Sequence, residues 1–143
     1  MTSGRFGIAL HALALLARRP EGCSSGELAR SINVHPVVLR RVLADIRRAG
    51  LVQAREGRRG GYRLRRSPGT VTLADVYRIV EREGPLAPNQ AEPDPECPVG
   101  SGVRAAFRHV AAAGRIALLR ALERTTIDQF AADAVRAGRL RRT

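Results

Sequence analysis

The chain has 143 residues, enough for one domain with an appendage. Hydrophobic residues make up 44% and aromatics only 3%, so the core must be built from Leu, Ile, Val and Ala, which favours helices over a sheet-rich fold. Net charge is +12 and every one of the 25 basic residues is arginine, a balance partly owed to codon usage in a GC-rich genome but too lopsided for a merely solvated face. It implies a polyanionic partner, nucleic acid or an anionic membrane surface.

The first helix is expected over residues 4–17. Its apolar run after Arg5 mimics a secretion signal, but it is too short to span a bilayer and is followed by Arg18 and Arg19, not by a cleavage site. Arg19-Pro20-Glu21-Gly22 stops it. Ser24-x-x-Glu27 is a capping box opening a short helix that buries Leu28, Ala29 and Ile32. Asn33 is the turn residue, since Asn tolerates the left-handed conformation. The next helix starts at His35, with Pro36 preset at its first position, and carries a stripe of Val38 or Leu39, Val42, Leu43 and Ile46. Gly50 ends it.

Residues 51–54 then begin a strand, 57–61 form an Arg/Gly hairpin tip, and Tyr62-Arg63-Leu64 returns. Thr72-x-x-Asp75 caps a helix with Leu73, Val76, Ile79 and Val80 inward. Composition shifts at Gly84: the next stretch holds five of the eight prolines and is locally acidic, a linker or an ordered loop. A long helix follows from Gly102 to about Glu123. Val103, Phe107, Val110, Ala117 and Ala121 recur at alternating four- and three-residue steps, with Gly114 in the same seam, a spacing that allows close approach to another helix. Thr126-x-x-Gln129 caps a last helix with Ile127, Phe130, Ala131 and Val135 inward, and residues 136–142 form a basic, frayed tail. No internal repeat is present.

The fold class is therefore mainly α with a small β-wing. Residues 1–83 form a winged helix-turn-helix DNA-binding domain, 84–100 a linker or sensor loop, and 101–143 the dimerisation helices. A helix entering the major groove presents its N-terminal residues to base edges. Here those are His35, Pro36, Val37, Arg40 and Arg41. Arg40 or Arg41 suits bidentate contact with guanine, and Val37 suits a thymine methyl. Arg58 and Arg59, between glycines at the wing tip, suit a phosphate ridge or a narrow minor groove. Arg47, Arg48 and Arg55 are weaker candidates, balanced evenly against simple solvation. Double-stranded DNA is the expected partner.

These residues resemble a known family. RFGIALHALALLA, then ELA, VHPVVLRRVLADIRRAGLV, the wing GRRGGYRL, TLADVYRIVE, ECPVG and the late TTIDQF are similar to the bacterial winged-helix regulators of the IscR/NsrR type, the Rrf-2 family. The resemblance covers nearly the whole chain. It implies a homodimer in which the long helix crosses its partner and two recognition helices meet the half-sites of a palindrome.

Two departures matter. The family's wing reads Arg-Gly-Pro-Gly-Gly-Gly-Tyr, whereas this chain has Arg55-Glu56-Gly57-Arg58-Arg59-Gly60-Gly61-Tyr62, with two more positive charges and no proline. Tighter, less selective phosphate binding is the expected result. Cluster-binding members carry three closely spaced cysteines before the long helix, and this chain has Cys97 alone. Cys97 with His11 falls short of the four ligands a cluster wants, so no iron–sulfur cofactor is expected.

Two cysteines, Cys23 and Cys97, fit a reducing cytoplasm rather than a disulfide scaffold. Cys97 lies just ahead of the long helix, whose dipole favours a thiolate, while Asp94 and Glu96 oppose it. It is either a redox switch, alone or bridged to Cys23, or a structural thiol packing the dimer seam, the second reading carrying more weight. Cys23 by itself reads as incidental, and His11 and His109 as packed or surface histidines, not metal ligands. No catalytic constellation, phosphate-binding glycine loop or zinc-site spacing is present, so an enzyme is not expected. The sequence points to a dimeric regulator, a repressor by preference, released by a signal at the junction of the linker and the long helix, with oxidation of Cys97 as one candidate signal. Its rivals are the same fold switched by a small molecule and, in another class, an architectural, non-selective nucleic-acid binder. A membrane-surface role has only the charge in its favour.

Overall fold

A computed structural model describes residues 4–142. Its elements are α1 (Arg5–Arg18), α2 (Ser25–Ile32), α3 (Pro36–Arg48), β1 (Val52–Arg55), β2 (Gly61–Leu64), a 3₁₀ turn (Pro68–Thr70), α4 (Leu73–Val80), α5 (Val103–Leu122) and α6 (Ile127–Leu140). The architecture is a mainly helical winged helix with a two-stranded antiparallel wing.

Local chemistry places most of the boundaries. Ser24 Oγ accepts from the Glu27 amide at 3.1 Å while the Glu27 carboxylate accepts from the Ser24 amide at 2.8 Å. The same reciprocal box opens α4 through Thr72 and Asp75 and α6 through Thr126 and Gln129. Asn33 adopts φ 59°, the left-handed conformation that turns the chain between α2 and α3. Of the two candidates at the start of the α3 stripe, Leu39 is buried and Val38 is exposed. Ile32 and Ile79 are only half-buried, at the edges of their helices' apolar faces.

One core unites the fold. Leu13, Leu16, Leu28, Leu39, Leu43, Ile46, Leu51 and Ile127 are almost completely withdrawn from solvent, each stabilising the fold by roughly 1.5–3 kcal/mol. Ile127 brings α6 into this core, and α6 lies along α1. The segment after α5 thus packs against α1 and shares its core. Thr72 and Thr126 form an antiparallel bridge, and the Leu73 and Ile127 amides donate to the Thr125 and Val71 carbonyls, each at 2.9 Å. Residues 136–142, expected to fray, are helical through Leu140.

In the wing, Val52 faces Leu64, Gln53 faces Arg63, Ala54 faces Tyr62 and Arg55 faces Gly61. Gly61, expected in the tip, is the first residue of β2. A single-residue bridge is added at the edge of β2: Cys23 exchanges hydrogen bonds with Tyr62 at 3.0 and 2.7 Å. A Cβ on Gly61 would lie 2.4 Å from the Cys23 carbonyl oxygen, so this close approach requires glycine.

The expected α5 seam divides between two faces. Phe107 and Gly114 are half-buried on the side turned toward their own chain, where a Cβ on Gly114 would meet the Leu86 side chain at 3.5 Å. Val103, Val110 and Ile116 are exposed, and α5 has no fully buried residue. The inner face is fastened to α4 by Arg115 over the Tyr77 ring at 5.7 Å and by Arg78 on Glu123 at 2.8 Å.

Residues 84–100 form an ordered loop held by turns. The Asp94 carboxylate accepts from the Glu96 amide at 3.0 Å, and Arg104 reaches back to Glu92 and the Ala91 carbonyl, both at 2.9 Å. No helix among the described residues is long and apolar enough to cross a membrane.

Candidate nucleic-acid interface

The helix α3 turns Leu39, Val42, Leu43 and Ile46 into the core, and that choice dictates what is left outside. His35, Pro36, Val37, Arg40, Arg41 and Arg47 are all exposed. Val37 and Val38 stand 40% and 41% exposed at the mouth of the helix, unusual for apolar residues without a contact to make. Val38 belongs with the candidates for a thymine methyl; the sequence left it undecided because adjacent residues satisfied the same helical period. His35 has a second task. Its Nδ1 accepts from the Val37 amide at 3.2 Å and caps the helix, leaving Nε2 as the outward atom.

Asp45 anchors the far half of α3. Its carboxylate, 10% exposed, pairs with Arg5 of α1 and Arg48 of α3, with Arg82 beyond α4 at 3.9 Å. Arg5 Nε also donates to the Val80 carbonyl at 3.4 Å. One acidic residue therefore ties the recognition helix to α1 and to the end of α4. Nothing in the local sequence pattern marked it, because Arg5 and Asp45 are 40 residues apart.

Beside the wing lies a basin of about 260 Å³ lined by Arg55, Arg58, Arg59 and Arg63 with Glu21, Glu27 and the Gly60–Gly61 backbone among others. The fold thus brings the wing arginines against the opening of α2. Arg63, which the sequence reading passed over, donates through Nε to the Glu21 carbonyl at 2.8 Å. Its outward position was implied by strand alternation; its partner was not. The Glu27 carboxyl is held below the usual carboxylate range, first by the Ser24 amide hydrogen bond. A phosphate entering this basin meets an excess of guanidinium groups and glycine backbone without side chains, the setting for sequence-independent backbone contact.

The two cysteines occupy opposite environments. Cys23, 3% exposed, is built into the wing bridge, and burial pushes its thiol up. Cys97 is half-buried at the turn before α5, where hydrogen bonds from the Gly100 and then the Val99 amides hold its thiol below the ordinary value. His11 Nε2 lies 3.1 Å from Ser31 Oγ, and His109 is exposed on α5.

A family model described as Rrf2, iron-dependent transcriptional regulator, matches residues 2–133. The chain belongs to the Rrf2 family. YwnA of Bacillus subtilis, named an HTH-type transcriptional regulator, is 34% identical over 107 residues, covering 75% of this chain and 79% of YwnA. Rv1287 of Mycobacterium tuberculosis, named likewise, is 33% identical over 136 residues, covering 93% of this chain and 82% of the relative. The solved structure of CymR, the global cysteine regulator of B. subtilis, superposes with a TM-score of 0.68 at 25% identity, covering 92% of this chain and 96% of CymR. The chain is therefore a DNA-binding, helix-turn-helix transcriptional regulator of this family.

Among the described residues no group of three or more His, Cys, Asp or Glu side chains is gathered to hold a metal. Of the two cysteines, one is locked in the wing sheet, so thiolate ligation of a cluster falls well short of the four ligands required.

Proposed function

We propose that this Rrf2 protein is a homodimeric, cytoplasmic repressor. Its two recognition helices would read the half-sites of a palindromic operator, and the thiol state of Cys97, without a cluster, would set its affinity. The observation that carries the reading is the joint exposure of His35, Val37, Arg40 and Arg41 on α3 next to the arginine-lined wing basin. One element supplies base-edge contacts and the other phosphate contacts, the division of labour a sequence-selective binder needs.

The homodimer is supported by the outer face of α5, where Val103, Val110 and Ile116 lie exposed on a helix otherwise fastened to α4. The switch is supported by the contrast between the cysteines. Cys97 is accessible, has its thiolate favoured by two amides, and sits where the loop meets α5. Burial disfavours the Cys23 thiolate, so Cys97 acts by itself in this reading and not through an intrachain disulfide to Cys23.

The test is anisotropy on the DNA upstream of the chain's own gene against random duplex, in dithiothreitol and after mild peroxide. Selective binding that weakens on oxidation, and that Cys97→Ser renders indifferent to oxidant, is the expected result. Selectivity unaffected by oxidant moves the signal to a small molecule. Equal competition by random DNA at physiological salt replaces the regulator with an architectural role, which the added wing arginines would serve.

A further inference from the structure

A second basic surface lies at the C-terminal end of α6. Between residues 136 and 142 stand four arginines, Arg136, Arg139, Arg141 and Arg142, and no acid. Arg18, the last residue of α1, shares a hollow with Ala132, Val135, Arg136, Arg139 and Leu140, which gathers a fifth guanidinium from a distant part of the chain. Arg136 is paired with Asp133. Among the described residues no carboxylate comes within ion-pair distance of Arg18, Arg139, Arg141 or Arg142. Cations at a helix C-terminus are favoured by its dipole, yet that effect fades within the last turn and does not recruit Arg18 from another helix.

A short segment of chain connects this surface to the wing. From Arg18 the chain passes to Arg19, whose guanidinium lies 3.5 Å from Glu27 at the opening of α2. It reaches Glu21, whose carbonyl holds Arg63 of β2, and Cys23, bridged to Tyr62. Residues 18–23 thus join the end of α6 to the edge of the wing basin. Arg18, Arg139, Arg141 and Arg142 thus add a second positive surface, on α1 and α6, linked to the wing through that segment.

We propose that the C-terminal turn of α6, with Arg18, is a second DNA contact that grips the phosphodiester backbone beyond the base pairs read by α3. This rests on the reading of the chain as a DNA-binding regulator. Each arginine that neutralises a phosphate releases a condensed counterion and steepens the fall of affinity with salt by about 0.9 per contact. Three arginines removed together should lower the slope by roughly 2–3 per bound protomer.

The experiment uses the full chain on a random-sequence duplex several helical turns long, titrated over a range of potassium chloride. Three proteins are compared: the parent, Arg139→Ala with Arg141→Ala and Arg142→Ala, and a control with Arg120→Ala and Arg124→Ala at the junction of α5 and α6. Thermal melts and sedimentation accompany each. The expected result is a slope lowered by roughly 2–3 in the triple variant alone, with melting and self-association unchanged. An unchanged slope overturns the proposal, and so does an equal loss per arginine in the control, which would assign the effect to net charge. A change in self-association without a change in slope also overturns it and gives the surface to the acidic 92–96 segment of a second copy. If the parent protein itself has no salt-dependent affinity for duplex DNA, the DNA-binding reading falls with it.

Discussion

Replacing Asp45 with alanine should loosen the recognition helix more than any other single surface-near change. Its carboxylate is 10% exposed and its main partner, Arg5, is 29% exposed, so the pair is partly shielded from water. A charge-assisted hydrogen bond of this kind contributes about 1.5–3 kcal/mol, and its loss leaves a half-buried guanidinium without its anion. Arg48 is 70% exposed in its pair with Asp45 and adds only about 0.3–0.5 kcal/mol, as solvent-screened i,i+3 pairs do. Arg82, at 3.9 Å and 80% exposed, adds nothing measurable. The total is roughly 2–3 kcal/mol. For a chain of this size each kcal/mol moves the melting temperature by roughly 3–4 °C, so Asp45→Ala should melt about 6–12 °C below the parent. Arg5→Ala should reproduce most of the loss, and the double variant should fall well short of additivity. Arg48→Ala should cost no more than about 0.5 kcal/mol. The assay is thermal unfolding by circular dichroism across this mutant cycle. A melting temperature for Asp45→Ala indistinguishable from the parent, or full additivity with Arg5→Ala, would refute the anchor.

Three further outcomes follow from the same contacts. Gly61→Ala places a Cβ against the Cys23 carbonyl at 2.4 Å and should destabilise the wing by about 1–3 kcal/mol, read as faster amide exchange at Cys23 and Tyr62; unchanged protection there would deny the close approach. Iodoacetamide at neutral pH should alkylate Cys97 in the native protein, because the Gly100 and Val99 amides favour its thiolate, and should reach Cys23 only in denaturant, because burial disfavours that thiolate. Mass spectrometry finding Cys23 labelled first would contradict both assignments. Arg58→Ala with Arg59→Ala should weaken binding to every duplex alike and lower the salt slope by roughly 2, and an unaltered slope would remove the wing from the interface.

What was legible in the sequence was local. Ser24 with Glu27, Thr72 with Asp75, and Thr126 with Gln129 are separated by one helical turn, so their boxes can be read from spacing alone. Asn33 and the Arg/Gly tip likewise declare their own backbone. Long-range pairing was not legible. The bridge of Cys23 to Tyr62 involves a single residue with no strand pattern, and the Asp45 hub joins three elements. Which side of α5 each residue of the seam serves was not legible for a related reason. Its apolar residues run around much of the helix, and a leucine of the preceding loop, Leu86, settles which side Gly114 serves. Helical period also failed to separate Val38 from Leu39, since neighbours on a helix can both border the stripe until the packing partner is known. For the interface, exposure on α3 followed directly from its buried face, whereas Arg63 became visible only when its partner, the Glu21 carbonyl, was in place.

The central claim is that α3 reads bases as one of a symmetric pair. It is tested most directly by selecting bound duplexes from a random library with the parent protein and with Arg40→Ala, then sequencing both pools. The account predicts a two-fold symmetric motif for the parent and, for Arg40→Ala, the same motif with preference lost at one base pair of each half-site. A parent pool without any enriched motif, or an Arg40→Ala pool identical to it, would contradict the account.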